Sequence, residues 1–202
     1  MKKMKKLLLL ILITATVNCY AQSPIIDIEK LPSIWDNPQT NAYYKDIHNF
    51  LNDFEGTWLA TKGNTTLKIV LKKLEMVSND VPYYMDYIVG GYQFLENGVE
   101  KINTLSKINI QYVRSIYGNR LLKSNFKPKC NDCDPNKRRL NLSFIDRERD
   151  ISGSLFLQHT TVNGQPALKA ILWGNGKTYN ESNPPANFYL TVPTGEYLLI
   201  KQ

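Results

Sequence analysis

Residues 50–74, FLNDFEGTWLATKGNTTLKIVLKKL, constrain this chain more than any other stretch. Gly56-Thr57-Trp58 follows a helix-like apolar pattern. From Leu67 the period changes to two, with Leu67, Ile69 and Leu71 alternating against Lys68, Val70 and Lys72. Alternation at period two belongs to a strand that buries one face. Gly63-Asn64 supplies the turn between this strand and the one that Trp58 opens. After Lys73 the apolar phase moves to Leu74 and Met76, which predicts a β-bulge.

Hairpin signals then recur to the last residue. Asn97-Gly98, Gly118-Asn119, Asn163-Gly164 and Pro193-Thr194-Gly195 each separate apolar runs, and residues 146–150, DRERD, make a polar reversal. Paired glycines at Gly90-Gly91 predict a bend within the aromatic strand 83–95. Strands are expected near 100–116, 120–127, 140–144, 151–161, 166–173, 188–192 and 196–201, about ten in all. Sequential hairpins give an antiparallel meander, and closing it into a β-barrel removes exposed edges.

One N-terminal α-helix is expected over about 38–53. Asn37 suits its N-cap and Pro38 its first turn. Tyr43, Tyr44, Ile47, Phe50, Leu51 and Phe54 recur at helical spacing, with Lys45, Asp46, His48, Asn49, Asn52 and Asp53 on the other face. Ahead of it, residues 22–37 read as an extended arm with Trp35 as an anchor. The domain proper is 38–202.

Residues 1–21 read as a signal peptide. Lys2, Lys3, Lys5 and Lys6 precede an apolar run from Leu7 to Val17, too short for a spanning helix of about 20 residues. Small residues at Cys19 and Ala21 suit ordinary cleavage before Gln22. A lipid anchor on Cys19 is the alternative, with Thr16 and Asn18 in place of the expected lipobox residues. No later segment is apolar enough for a transmembrane helix. The expected location is therefore outside the cytoplasm, periplasmic or secreted.

Export changes the charge argument. The chain has 25 basic and 18 acidic residues, a net +7. Losing the four leader lysines leaves 21 against 18, or +3. That is too little for the concentrated basic face that nucleic acid demands. Export also exposes Cys130 and Cys133 to oxidising conditions, where a disulfide is the default. Their C-x-x-C spacing also fits half a zinc site or a redox motif. However, His48 and His159 are far apart in sequence, and the pair sits in a loop between strands.

No G-x-S-x-G, H-E-x-x-H or phosphate loop is present, and Asp146, Glu148 and Asp150 are interleaved with Arg147 and Arg149 as in a solvated turn. No catalytic residue, metal site or cofactor is expected. Tyr83, Met85, Tyr87 and Val89 share one strand face. If that face points inward, the first three line a cavity for a small lipophilic or amphipathic ligand, closed by Trp58. Lys123, Lys127, Lys129, Lys137, Arg138 and Arg139 cluster around the cysteine loop. They offer an alternative, an outer surface for an anionic envelope component.

Gly56-Thr57-Trp58 before a strand meander resembles the start of lipocalin-type barrels, and avidin-type barrels open with a similar triplet. The resemblance implies architecture, with Trp58 as the barrel plug. The T-D-Y triplet of lipocalins is absent, and Lys201 is the only basic residue on the final strand. Over nearly its whole length the chain also resembles a family of small exported bacterial proteins of unknown function. The matching features are the Lys-rich leader, Tyr43-Tyr44-Lys45-Asp46, Phe54 to Trp58, the basic strand Leu67 to Lys73, the hairpin Gly91 to Gly98 and the Cys130–Cys133 loop. That resemblance implies no activity.

Overall fold

A computed structural model describes residues 23–31, 37–78, 80–123, 126–130, 132–174 and 187–202. The leader, Cys19 and Trp35 lie outside the described residues. Eleven strands occur in it: β1 (Ile25–Asp27), β2 (Tyr43–Lys45), β3 (Gly56–Lys62), β4 (Thr65–Val77), β5 (Tyr84–Glu96), β6 (Val99–Asn103), β7 (Ile116–Leu122), β8 (Arg139–Asp146), β9 (Ile151–Val162), β10 (Gln165–Gly174) and β11 (Gly195–Lys201). Eight of them, β3, β4, β5, β7, β8, β9, β10 and β11, pair antiparallel in sequence order. β11 returns to β3 and closes the barrel. β1, β2 and β6 lie outside the ring. β2 pairs parallel with both β1 and the start of β5, and β6 pairs with the end of β5.

The hairpin turns fall where their chemistry requires. Asn97-Gly98 and Asn163-Gly164 have positive φ at both residues, which the two-residue primed turn demands. The predicted phase change is a register shift between Leu74 and Val77, with Met76 at φ 53°. The paired glycines have a steric cause. A Cβ on Gly90 would lie 2.5 Å from the Val70 carbonyl oxygen, and one on Gly91 2.8 Å from that of Thr104. Here β5 changes partners, from β7 at Ile88–Gly90 to β6 at Gln93–Glu96.

Three expectations are corrected. No long helix spans 38–53. Tyr43–Lys45 is a strand, Asn41 and Asn49 take left-handed φ of 59° and 54°, and only a 3-10 turn at Phe50–Phe54 is helical. The apolar spacing fitted a helix, but Asn, Asp, His and Tyr carry little helical propensity, and tertiary pairing decided the matter. Ile47, assigned to the buried face, is exposed, and Asp46, assigned to solvent, is buried. Residues 188–192 form no strand, although Leu190 and Val192 enter the core as a strand would send them. Between β6 and β7 the chain runs through a 3-10 turn at Leu105–Lys107, and β7 continues through Gly118 with a bulge instead of reversing there.

Inside the barrel, Trp58, Phe54, Tyr92, Phe144, Leu51 and Ile69 are almost wholly buried in one cluster with Leu140, Leu142, Leu157 and Leu168. Tyr92 stacks on Phe144 with centroids 4.3 Å apart. Such a pair adds about 1 kcal/mol beyond its buried area. Trp58 donates its indole N–H to the Phe54 carbonyl at 2.8 Å, and the Lys201 ammonium lies 5.3 Å from its ring. Small barrels are commonly filled by their own side chains in this way.

Candidate functional site

The outer wall is the more distinctive surface. In β10, Leu168, Ala170 and Leu172 point to the core, so Lys169, Ile171 and Trp173 face outward. Ile171 is nevertheless buried, in an outer cluster with Leu122 and Phe156, against which Cys130 packs. The loop between β7 and β8 supplies the cover. Gln158 of β9 accepts from the Asp134 N–H at 2.7 Å and donates to the Asp134 and Lys137 carbonyls at 2.9 and 3.1 Å. Lys169 donates to the Asp132 carbonyl, and a disulfide joins Cys130 to Cys133. The predicted pair is thus a staple within a loop tied flat against the barrel.

Arg139 completes this tie. It stood with the surface cations in the sequence, but its side chain is buried. Its guanidinium donates to the Pro128 carbonyl at 2.8 Å and to that of Phe126, above the Phe156 ring. Burial lowers its pKa from the ordinary value. Arg138 pairs with Glu29. The basic patch is therefore divided: Arg139 serves the loop, Arg138 the N-terminal segment, and Lys123, Lys127, Lys129 and Lys137 face solvent.

Beside the stapled loop lies an open cleft of about 740 Å³. Leu198 and the little-exposed Ile171 give it an apolar surface, and Ala170 and Tyr197, which pack toward the barrel core, also line it. Lys62, Lys169, Glu196, Cys130 and Asp132 complete it. Leu198 is 46% exposed there, a large apolar side chain open to solvent. This surface offers apolar contact and both signs of charge, without a converging acid–base pair. Sequence reasoning missed it. The available signal was the run Ala167–Trp173, apolar on both strand phases, which marks a strand covered on both sides.

The four sequence-predicted ligand residues do not come together. Trp58 belongs to the barrel core. Tyr83, Met85 and Tyr87 face the opposite way, into an outer cluster with Ala42, Tyr44, Ile26, Leu31 and Val81. The face assignment is corrected: on β5 the inward phase is Ile88, Tyr92 and Phe94. Tyr83 meets Tyr44 edge-on at 5.4 Å and Tyr87 stacks with Tyr117 at 6.2 Å. Burial raises the Tyr83 and Tyr87 pKa values.

Buried carboxylates hold the fold together here. Asp86, on the inward phase, accepts from the Tyr43 hydroxyl at 2.6 Å, the Asp46 N–H at 2.9 Å and the Met76 N–H at 3.2 Å. Asp46 accepts from the Phe50 and Leu51 N–H groups, both at 2.8 Å, and pairs with Lys73 at 3.3 Å. Asp146, expected at a solvated turn, is buried and accepts from the Arg149 and Thr191 N–H groups at 3.1 and 2.7 Å. His48 pairs with Asp27 at 3.2 Å. Among the described residues, no three His, Cys, Asp or Glu side chains group so as to hold a metal ion. No helix among those residues is long and apolar enough to cross a membrane.

The model of DUF6705, described as a family of unknown function, matches residues 1–202. The chain belongs to this family. Comparison with curated proteins and with solved structures returned no match. Membership extends over the barrel, the outer strands and the stapled loop alike, and it brings no activity with it.

Proposed function

We propose that this member of the family is an exported, non-catalytic binding barrel that engages its target through the outer wall, at the cleft beside the stapled loop. Residues 1–21 serve as a cleaved leader in this reading. The observation that carries it is the contrast between the two sides of the wall. The interior is occupied by Trp58, Phe54, Tyr92 and Phe144, while a cleft of about 740 Å³ lies open outside, with Leu198 46% exposed. Concave sites with apolar walls and a few polar groups are where proteins ordinarily bind. Exposed apolar side chains grouped in such a place mark interaction surfaces.

The stapled loop favours recognition over chemistry. The disulfide, the Gln158 clamp and the Arg139 tie hold one wall in place, so little ordering is needed on binding. A small amphipathic ligand and an envelope component remain the two classes of target. Either would set its apolar part on Ile171 and Leu198 and its charge near Lys62 or Glu196.

Hydrogen exchange read by mass spectrometry tests the site. The mature chain is compared with and without an envelope fraction of the producing cell. Slowed exchange is expected in 165–173, 195–202 and 126–134, and Leu198→Arg should abolish it. Slowing confined to other segments, or a Leu198→Arg protein protected like the wild type, would overturn the reading.

A further inference from the structure

A closed barrel satisfies both edges of every strand, and this one does not do so everywhere. β3 and β11 each run seven residues, yet they pair only at Leu59–Ile200 and Trp58–Lys201. The Gln202 N–H adds one bond to the Thr57 carbonyl at 2.9 Å. Continuing this register would set Ala60 opposite Leu199, Thr61 opposite Leu198 and Lys62 opposite Tyr197. Those pairs do not form. The outer neighbours are complete: β3 pairs with β4 from Gly56 to Lys62, and β11 with β10 from Gly195 to Ile200. Among the described residues, each strand therefore has one laddered edge and, over this half, one edge with no ladder partner, here called bare.

The cleft lies along that opening. Lys62 enters it from one bare edge, and Glu196, Tyr197 and Leu198 from the other. Backbone N–H and C=O groups are obligatory hydrogen-bonding groups, and facing strand edges are templates for another strand. An extended polypeptide meets them with its own backbone and places alternate side chains in the adjoining pockets. A small amphiphile would cover Ile171 and Leu198 and leave the edges bare.

We infer that the cleft takes an extended segment of a partner polypeptide, added as a strand at the open half of the β3–β11 seam. This rests on the outer cleft being the binding site. Side chains on one face of the segment would meet Ile171 and Leu198. An acidic residue would meet Lys62, for which no ion pair occurs among the described residues. Lysine at a bare edge also discourages indiscriminate pairing, so the same residue makes the edge selective.

The probe is a blocked nonapeptide alternating valine with threonine and glutamate. Its control is a twin methylated on alternate backbone nitrogens, which keeps the side chains and removes N–H donors. Calorimetry on the mature, disulfide-intact chain should show the first binding and the twin at least about tenfold weaker, the loss of one to two net hydrogen bonds. A Thr61→Cys, Leu198→Cys variant, oxidised to bridge the bare edges, should lose binding and regain it when that bridge alone is removed by preparing the Thr61→Cys, Leu198→Ser protein. Equal binding of both peptides would overturn strand addition while leaving the outer cleft as a site. Binding of neither would overturn the inference, and the exchange experiment would then judge the cleft by itself. Concentration-dependent dimerisation abolished by the oxidised bridge would replace the partner segment with a second copy of this chain and overturn the inference as stated.

Discussion

Asp86→Ala tests how the N-terminal segment is held to the barrel. The Asp86 carboxylate has no exposed surface and accepts from three donors, the Tyr43 hydroxyl and the Asp46 and Met76 N–H groups. Each donor left buried without an acceptor costs about 1–3 kcal/mol. Removing a buried charge returns part of that cost, because the charge was itself taken out of water. The expected net loss is about 3–4 kcal/mol, which puts the substitution among the severe ones. For a domain of this size that lowers Tm by roughly 10 °C. Urea unfolding at pH 7 is the assay, with the m-value expected to stay constant. Tyr43→Phe forms the other arm of a double-mutant cycle. Its hydrogen bond goes to a charged acceptor, so a coupling of about 1.5 kcal/mol or more is expected. Amide exchange at residues 41–46 should accelerate more than at β9, because those residues lie outside the barrel ring. A loss below about 1 kcal/mol, or additive single mutants, would refute the reasoning that this carboxylate fastens the segment.

Three further perturbations test other parts of the fold. Gly91→Ala places a methyl 2.8 Å from the Thr104 carbonyl oxygen and 2.9 Å from Ile108 Cγ1; overpacking of this kind should cost about 2 kcal/mol in urea unfolding, and an unchanged midpoint would contradict the crossing geometry. Replacing Cys130 and Cys133 together by Ala should cost at most about 2 kcal/mol, because the closed loop is short and the Gln158 and Arg139 ties persist; a larger loss in the same assay would mean that the staple supports more than its own loop. Stability should also fall at high pH. Burial raises the Tyr43, Tyr87 and Tyr92 pKa values above the usual 10.0, and for Tyr43 the hydrogen bond to Asp86 adds to it. The folded chain then keeps protons that the unfolded chain releases. The contribution is complete below about pH 10 and declines as pH rises further. Urea midpoints that stay level between pH 9 and 11 would count against it.

Local chemistry alone determined the punctuation of this protein. Asn-Gly pairs with positive φ had to be turns, the alternation at Leu67–Lys72 had to be a half-buried strand, and a one-residue phase change after Lys73 had to be a bulge. These follow from the steric limits of a few residues, so the meander was legible before any long-range contact was known. Where several structures satisfied the same spacing, tertiary pairing decided. Tyr43 and Tyr44 fit a helix face as well as a strand; the bond from Tyr43 to Asp86, 43 residues away, and the pairing with β5 made them a strand. Tyr83, Met85 and Tyr87 alternate whichever way β5 faces, and only the barrel's closure sent Ile88, Tyr92 and Phe94 inward instead. The outer cleft was less legible still. It is assembled from the ends of β3 and β11, the middle of β10 and a loop from between β7 and β8, and its opening exists because one seam stops pairing after two residues. Sequence spacing carries the period of each strand; which strand edges meet, and for how long, is a property of the closed sheet.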